Sequence, residues 1–365
     1  MKISCLQENL AKGLSVVSRL VSSRGTLEIL SHILLSTENG RLKLSATNLE
    51  IGVNYKVGGK VEEEGSVTVP ARLFNELITQ LPEGKINLET DKNNLLVKSS
   101  NYESKINGLS SDDFPLIPKN KNKKSFTISS SEFKDAINIV SFSSALDEAR
   151  PVLAGVLFSI KKGKLTLAAT DSYRLAEKVI NISGGEKDTE AIVPTRSLLE
   201  LSRVIGDSDR EISVFIDENQ IMFENDDFEF TSRLVEGKFP DYKQIIPIES
   251  ETKAKVSVSN FLKIIKVAAL FSGETAGSIN LKVSSKGKIN AESSSSQYGD
   301  SSASCEAVVE GKDIEIVFNS KYIIDVLNNL SGKDIEISFT DKLNPGVLKV
   351  SGDKSYVYVI MPLRA

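Results

Sequence analysis

The chain has 365 residues, 40% apolar and 26% charged, the balance of an ordinary globular protein with room for about two or three cores. It has no run of about 18 apolar residues to cross a membrane, and Met1-Lys2-Ile3-Ser4-Cys5 lacks a signal core, which points to the cytoplasm. A net charge of -4 argues against a simple basic nucleic-acid binder, and Cys5 and Cys305 fit no metal or redox spacing, reading as small buried hydrophobes.

An amphipathic helix is predicted over 8–20, with apolar residues on the helical period. A hairpin follows over 32–47, turning at Asn39-Gly40, a pair suited to two successive positive φ angles. Val69-Pro70-Ala71-Arg72 then runs from strand into helix, where proline costs no amide bond, and alternating strands start at Ile86 and Leu95. The prolines between Asp113 and Pro118 mark a linker.

The same order recurs. A helix over 132–140 leads to a hairpin at Lys162-Gly163, the step Val193-Pro194-Thr195-Arg196, strands from Ile212 and Gln220, and a second linker from Phe239 to Pro247. A third round has a helix over 260–270, a hairpin at Lys286-Gly287, the step Phe318-Asn319-Ser320-Lys321 and strands from Ile335 and Val347, ending at Met361-Pro362-Leu363-Arg364-Ala365. From Gly40 to Gly163 to Gly287 the steps are 123 and 124 residues. The expected fold class is α+β: three repeated domains, 1–119, 120–247 and 248–365, each with two helices packed on antiparallel sheet.

Catalytic chemistry is missing from this pattern. His32 is the one histidine, sits on a half-buried strand and has no nucleophile motif beside it. Ser331-Gly332-Lys333-Asp334 lacks the leading glycine and the Ser or Thr of a phosphate loop. The pairs Asp112-Asp113 and Asp226-Asp227 read as solvated turns, so neither metal nor cofactor is expected. Binding or scaffolding fits better than catalysis.

Charge is segregated. On or beside the helices stand Lys12, Arg19, Arg24, Arg72, Lys134, Arg196, Arg203, Lys263, Lys266 and Lys321, against Glu8, Glu76, Glu132, Asp135, Glu200 and Asp325. Arg72, Arg196 and Lys321 hold equivalent places in the repeats. A shared cationic helix surface would bind phosphates without reading sequence.

Together the threefold repeat, Val69-Pro70-Ala71-Arg72, Ala169-Thr170-Asp171 with Arg174-Leu175, Phe239-Pro240-Asp241-Tyr242 and the terminus Val359-Ile360-Met361-Pro362-Leu363-Arg364 resemble the β sliding clamp of bacterial DNA polymerase III, over the full length. The resemblance implies a non-catalytic processivity factor: a head-to-tail homodimeric ring around double-stranded DNA, helices lining the hole. A domain of this size is roughly 35 Å across, so six leave a hole of roughly 35 Å and four only about 14 Å. The grooves of a duplex are together about 16 Å deep, so six domains pass it and four do not. Arg24 and Arg72 match family positions that contact DNA, and Arg196 joins them by equivalence within the repeat. Aromatics that some members carry after Arg150 are replaced by Pro151 and Val152.

The resemblance also implies one peptide cleft per chain for the polymerase III catalytic subunit, the clamp loader and other clamp-binding-motif proteins. Its wall is expected from Leu153, Thr170, Tyr173, Arg174, Leu175, Pro240, Ile245, Tyr322, Leu343, Val359, Ile360, Met361, Pro362, Leu363 and Arg364, with Arg174 donating to the peptide. Gln244 stands where relatives often have arginine. In the other repeats Leu49-Glu50-Ile51 and Ser295-Ser296-Gln297 lie at about the place of Tyr173-Arg174-Leu175, which leaves a single site in the central domain. Ring closure is expected to bring Ile106 against Leu270 and Phe271 of the second copy. Three alternatives stay open: a two-domain trimeric clamp, which the third repeat disfavours; a metal-dependent nuclease, which the absent ligand clusters disfavour; and a scaffold that binds proteins alone.

Overall fold

The computed structural model describes residues 1–21, 27–118, 123–147, 149–206, 209–273, 277–330 and 332–363. Six α-helices lie among them: α1 (Gln7–Val17), α2 (Ala71–Gln80), α3 (Ser130–Ser141), α4 (Thr195–Ile205), α5 (Val258–Ala269) and α6 (Ser320–Asn328). Helices α2, α4 and α6 each start directly after a strand, at Pro70, Pro194 and Asn319. Asn319 caps α6 by accepting the Lys321 amide at 2.9 Å.

The hairpins obey their turn residues. Asn39 and Gly40 take φ of 51° and 71°, and Lys162 and Gly163 take 50° and 71°, so both are two-residue turns of the mirror type. The third differs. Ser284 pairs with Lys288, which leaves a three-residue turn with only Gly287, at φ 86°, in the left-handed region.

By its internal contacts the chain divides into two compact units, Met1–Ser131 with Glu200–Leu234, and Glu132–Leu199 with Val235–Ala365. The central repeat is thus shared between them. In the first unit one sheet runs Gly59–Glu63, Lys2–Leu6, Lys85–Asp91, Asn94–Ser99, Tyr102–Asn107. A second runs Phe126–Ser129, Glu211–Ile216, Gln220–Glu224, Phe228–Arg233, Ile51–Val57, Arg41–Thr47, His32–Glu38, Ser66–Pro70. Leu10, Leu14 and Val17 of α1 are fully buried, each contributing about 2 kcal/mol of apolar burial. Gly13 lets α1 sit close to its sheet: a β-carbon there would lie 2.9 Å from both Leu44 and Val57. His32 is buried, its Nδ1 3.1 Å from the Glu28 carbonyl, in keeping with a packed residue.

In the second unit the long sheet runs Thr189–Pro194, Gly155–Lys161, Lys164–Thr170, Arg174–Asn181, Tyr356–Ile360, Gly346–Val350, Asp334–Phe339, Thr252–Ser257, Val308–Gly311. The shorter runs Gly299–Glu306, Lys288–Ser295, Ser278–Ser284, Ile314–Asn319. Helices α5 and α6 pack on each other, with Phe261, Ile265, Val326 and Leu327 buried.

Two pairings cross repeat boundaries, which sequence periodicity alone did not foresee. Ile51–Val57 of the first repeat pairs antiparallel with Phe228–Arg233 of the second, and Arg174–Asn181 of the second with Tyr356–Ile360 of the third. Cys5 is buried and its thiol pushed up to about 12, whereas Cys305 is only half-buried on the strand Gly299–Glu306, its thiol pushed up to about 11 by the same desolvation.

Gly108 follows the strand Tyr102–Asn107, its amide bonded to the Asn93 carbonyl at 2.9 Å. A β-carbon there would meet the Thr68 carbonyl oxygen at 1.9 Å, and backbone cannot yield as a side-chain tip does. Gly108→Ala is expected to lower the unfolding free energy by about 3 kcal/mol in urea titration, whereas Gly58→Ala, with open space around it, changes it by less than about 0.5 kcal/mol.

Candidate functional site

The turn between Lys164–Thr170 and Arg174–Asn181 is closed by two side chains. Thr170 Oγ1 donates to the Arg174 carbonyl at 2.7 Å and accepts the Ser172 amide at 3.1 Å. Asp171 Oδ1 accepts the Tyr173 and Arg174 amides at 2.9 and 3.0 Å, and Ser172 takes φ 81°. The first repeat builds the same turn with Thr47, Asn48 and Leu49 at φ 75°, Asn48 accepting the Glu50 and Ile51 amides. In the third, Ser295 Oγ accepts the Gln297 and Tyr298 amides. Matched by these bonds, Ile51 and Arg174 share one position, one residue on from the expected match of Glu50 with Arg174. The third turn is shorter, with three residues between the paired Ser295 and Gly299 against four between Thr170 and Leu175, and its left-handed residue is Gly299 at φ 88°.

At that position Arg174 is 6% exposed. Its Nε donates to Asp171 Oδ2 at 2.9 Å and its Nη1 to Asp325 Oδ2 at 2.6 Å. The guanidinium lies 4.7 Å from the Tyr322 ring centre and 5.6 Å from that of Phe142. Burial works against its charge, but the Asp325 bond, with Tyr358 and Asp171 nearby, holds its pKa above the ordinary arginine value. Nε and Nη1 are thus committed to the frame, and through them Arg174 fixes the wall.

The remaining wall residues fall into a buried frame and an open rim. Thr170, Leu175, Val359 and Ile360 are buried, with Arg174 paired to Ile360 and Leu175 to Val359 across the strands. Leu175 and Val359 share a core cluster with Leu157, Ala168, Ile192, Phe239 and Tyr242. Phe239 and Tyr242 are therefore packed, not merely linker, and Tyr242 donates to Glu177 Oε2 at 2.5 Å. Around this frame Tyr173, Pro240, Ile245 and Leu343 are exposed, and Leu153, Tyr322, Met361, Pro362 and Leu363 are half-buried. Tyr173 stacks on Tyr322, ring centres 6.5 Å apart at 20°. The chain end is pinned to the frame: the Met361 amide donates to the Tyr173 carbonyl at 2.9 Å and the Leu363 amide to the Val317 carbonyl at 2.8 Å. Arg364 lies outside the described residues. Gln244 donates to Asp241 at 2.7 Å. Phe142, Asp171 and Asp325 were not foreseen as wall supports. Only Asp171 left a signal, as the residue opening a polar turn.

Of the cations, Arg24 lies outside the described residues. Arg72 is 90% exposed on α2 and bonded to Glu76 at 2.8 Å; Arg196 is exposed on the first turn of α4; and Lys321 on α6 stands 3.4 Å from Asp325. Arg72 and Lys321 are each paired with an acid four residues on, so these two helix starts are less positive than a count of cations suggests. Ile106, expected at the surface of a second copy, is 4% exposed and so is covered within its own chain. Leu270 is 75% exposed and Phe271 half-buried, just past the end of α5. Among the described residues no group of three or more His, Cys, Asp or Glu could hold a metal ion, and no helix is long and apolar enough to cross a membrane.

This fold is similar over the whole chain to the DNA polymerase sliding clamp of Bacillus subtilis, at a TM-score of 0.94 and 27% identity, covering 100% of this chain and 99% of that one. It is equally similar to the sliding clamp, DNA polymerase III subunit beta, of Pseudomonas aeruginosa bound to griselimycin, at 0.93 and 28%, with both chains covered in full. The fold is that of a DNA polymerase sliding clamp. Family models of the DNA polymerase III beta subunit match in succession, the N-terminal domain over residues 1–118, the central domain over 127–241 and the C-terminal domain over 243–364. The beta sliding clamp of Staphylococcus epidermidis is 30% identical over 357 residues, 95% of this chain and 94% of that protein. The chain belongs to the beta sliding clamp family, the beta subunits of DNA polymerase III, and is a non-catalytic processivity subunit.

At the far end of the junction between Arg174–Asn181 and Tyr356–Ile360, Lys178 Nζ donates to Asp353 Oδ2 at 2.9 Å. Burial alone raises the Asp353 carboxyl, but hydrogen bonds from Ser355 and Lys178 prevail and hold it at about 2. A folded-state pKa below the unfolded one gives stability that is full above about pH 4 and lost as pH falls toward about 2. The urea midpoint of Asp353→Asn should therefore fall less steeply than that of the native chain across this window.

Proposed function

We propose that two copies of the chain close head to tail into a ring through which duplex DNA runs, each copy contributing domains 1–119, 120–247 and 248–365. One observation carries this reading: a sheet junction that is used twice and left open once. Ile51–Val57 with Phe228–Arg233 joins the first and second repeats, and Arg174–Asn181 with Tyr356–Ile360 joins the second and third. The strands in the corresponding places that remain are Gly299–Glu306 and Tyr102–Asn107. Each is the edge of its sheet among the described residues. An unpaired edge is a row of unsatisfied amides and carbonyls. A second copy supplies the partner to both edges, and six repeats then close on themselves. Leu270 and Phe271 lie at the end of α5, which packs against Gly299–Glu306, and Ile106 is a buried residue of the other edge strand, Tyr102–Asn107.

A closed ring holds DNA by topology, so its phosphate contacts need only be few and weak. Arg72 and Arg196, with Arg24 by family resemblance, suit that task in a chain of net charge -4. The rim around Tyr173 and the pinned chain end supports a groove for apolar peptides of the polymerase III catalytic subunit, the clamp loader and other clamp-binding proteins. The griselimycin complex of the Pseudomonas aeruginosa relative supports a ligand site on this fold. Such a protein works in the bacterial cytoplasm.

Loaded by a clamp loader onto nicked circular DNA, the chain should co-elute with the circle and be released when the circle is cut. Retention after cutting would overturn the ring. Deleting residues 361–365 should reduce griselimycin affinity more than about 100-fold while light scattering still reports a two-chain mass. Unchanged affinity would refute the cleft.

A further inference from the structure

We propose that Asp325 on α6 is a positioning residue for the peptide cleft and couples that cleft to the DNA-facing row of cations. The proposal rests on the reading of cleft and ring above. Its starting point is a pair written three times, a first-turn cation with an acid four residues on: Arg72 with Glu76, Arg196 with Glu200, Lys321 with Asp325. In the first repeat the pair closes on itself, with side chains 90% and 59% exposed. In the second, Glu200 is taken by Arg203 instead. In the third, Asp325 is 24% exposed, and its Oδ2 accepts from both Lys321 Nζ at 3.4 Å and Arg174 Nη1 at 2.6 Å. The helix acid is thus common architecture. Its second partner is peculiar to this place, because the position of Arg174 is filled by Ile51 in the first turn, and the third turn, shorter and built differently, carries no arginine.

From Asp325 the contacts lead to the rim. Asp325 and Asp171 grip the guanidinium from two sides, the guanidinium lies over Tyr322, and Tyr322 stacks on Tyr173, which is 57% exposed. Losing Asp325 leaves a buried cation with half its pairing and frees the Tyr322 ring that backs Tyr173. The shared oxygen adds the coupling. A phosphate that draws Lys321 away leaves Asp325 to Arg174 alone, which tightens the wall. Because such linkage is reciprocal, a ligand in the cleft would in turn favour phosphate at Lys321. The Lys321 pair is exposed, so this effect is a few-fold at most.

The test is calorimetric titration of griselimycin into the full chain. Asp325→Asn should weaken binding about tenfold, Asp325→Glu should restore it to within about threefold of native, and Lys321→Gln should tighten it about two- to fivefold. Native-like affinity in Asp325→Asn, no rescue by Asp325→Glu, or no tightening in Lys321→Gln would each overturn the proposal. Should Asp325→Asn lose the two-chain mass, the Lys321→Gln titration decides alone. The chain lacking residues 361–365 separates the two levels. If it binds griselimycin normally, the cleft itself is misplaced. If it fails to bind while Asp325→Asn binds normally, only the role of Asp325 falls.

Discussion

An exposed strand edge is the constraint on which the rest of this molecule depends. A strand that ends a sheet offers unpaired amides and carbonyls to whatever strand comes near. Here the problem is met by chaining: the strand after each hairpin pairs with the last strand of the following repeat, at Ile51–Val57 and again at Arg174–Asn181. Continuity of sheet, not the domain boundary, therefore defines the compact bodies, which is why the central repeat contributes strands to both units. The cleft inherits its frame from one such junction, since Arg174 and Leu175 pair with Ile360 and Val359 on the neighbouring repeat.

Electrostatics works within that frame in two regimes. At the cleft Arg174 is almost wholly desolvated, and such a charge persists only when fully paired, here by Asp171, Asp325 and two aromatic faces. On the first turns of α2, α4 and α6 the cations are exposed; Arg72 and Lys321 are paired with acids four residues on, where water and salt keep each pair weak, while Glu200 of α4 is held by Arg203 rather than Arg196. A weakly held cation can exchange one anion for another quickly, as sliding requires, while a buried one sets a fixed shape.

Local patterns in the sequence foretold local structure well. Asn39-Gly40 and Lys162-Gly163 turn as expected because Asn39, Gly40 and Gly163 tolerate positive φ by themselves. The helix starts at Pro70, Pro194 and Asn319 are local in the same way, since neither residue type needs a distant partner to begin a helix. What failed was what depends on partners. Ile106 looked like a surface contact because an alternating strand does not say which side is covered, and the structure buries it. The tie from Arg174 to Asp325 was hidden because the two stand 151 positions apart, whereas Asp171, three residues from Arg174, belongs to the turn itself. The division of the central repeat across two units was equally invisible, since strand pairing between repeats leaves no periodic trace in one chain.

The recurrent turn at Thr47 and Thr170 bears on how such a molecule can change. Its geometry is set by the side chains that open it and by backbone bonds, so the residues that close it can differ in kind. Glu50-Ile51 and Tyr173-Arg174 occupy the same bend with no chemistry in common. A duplicated scaffold of this kind separates what must be kept from what is free to diverge. One copy could thus acquire a recognition surface while its siblings remained plain corners, without renegotiating the fold.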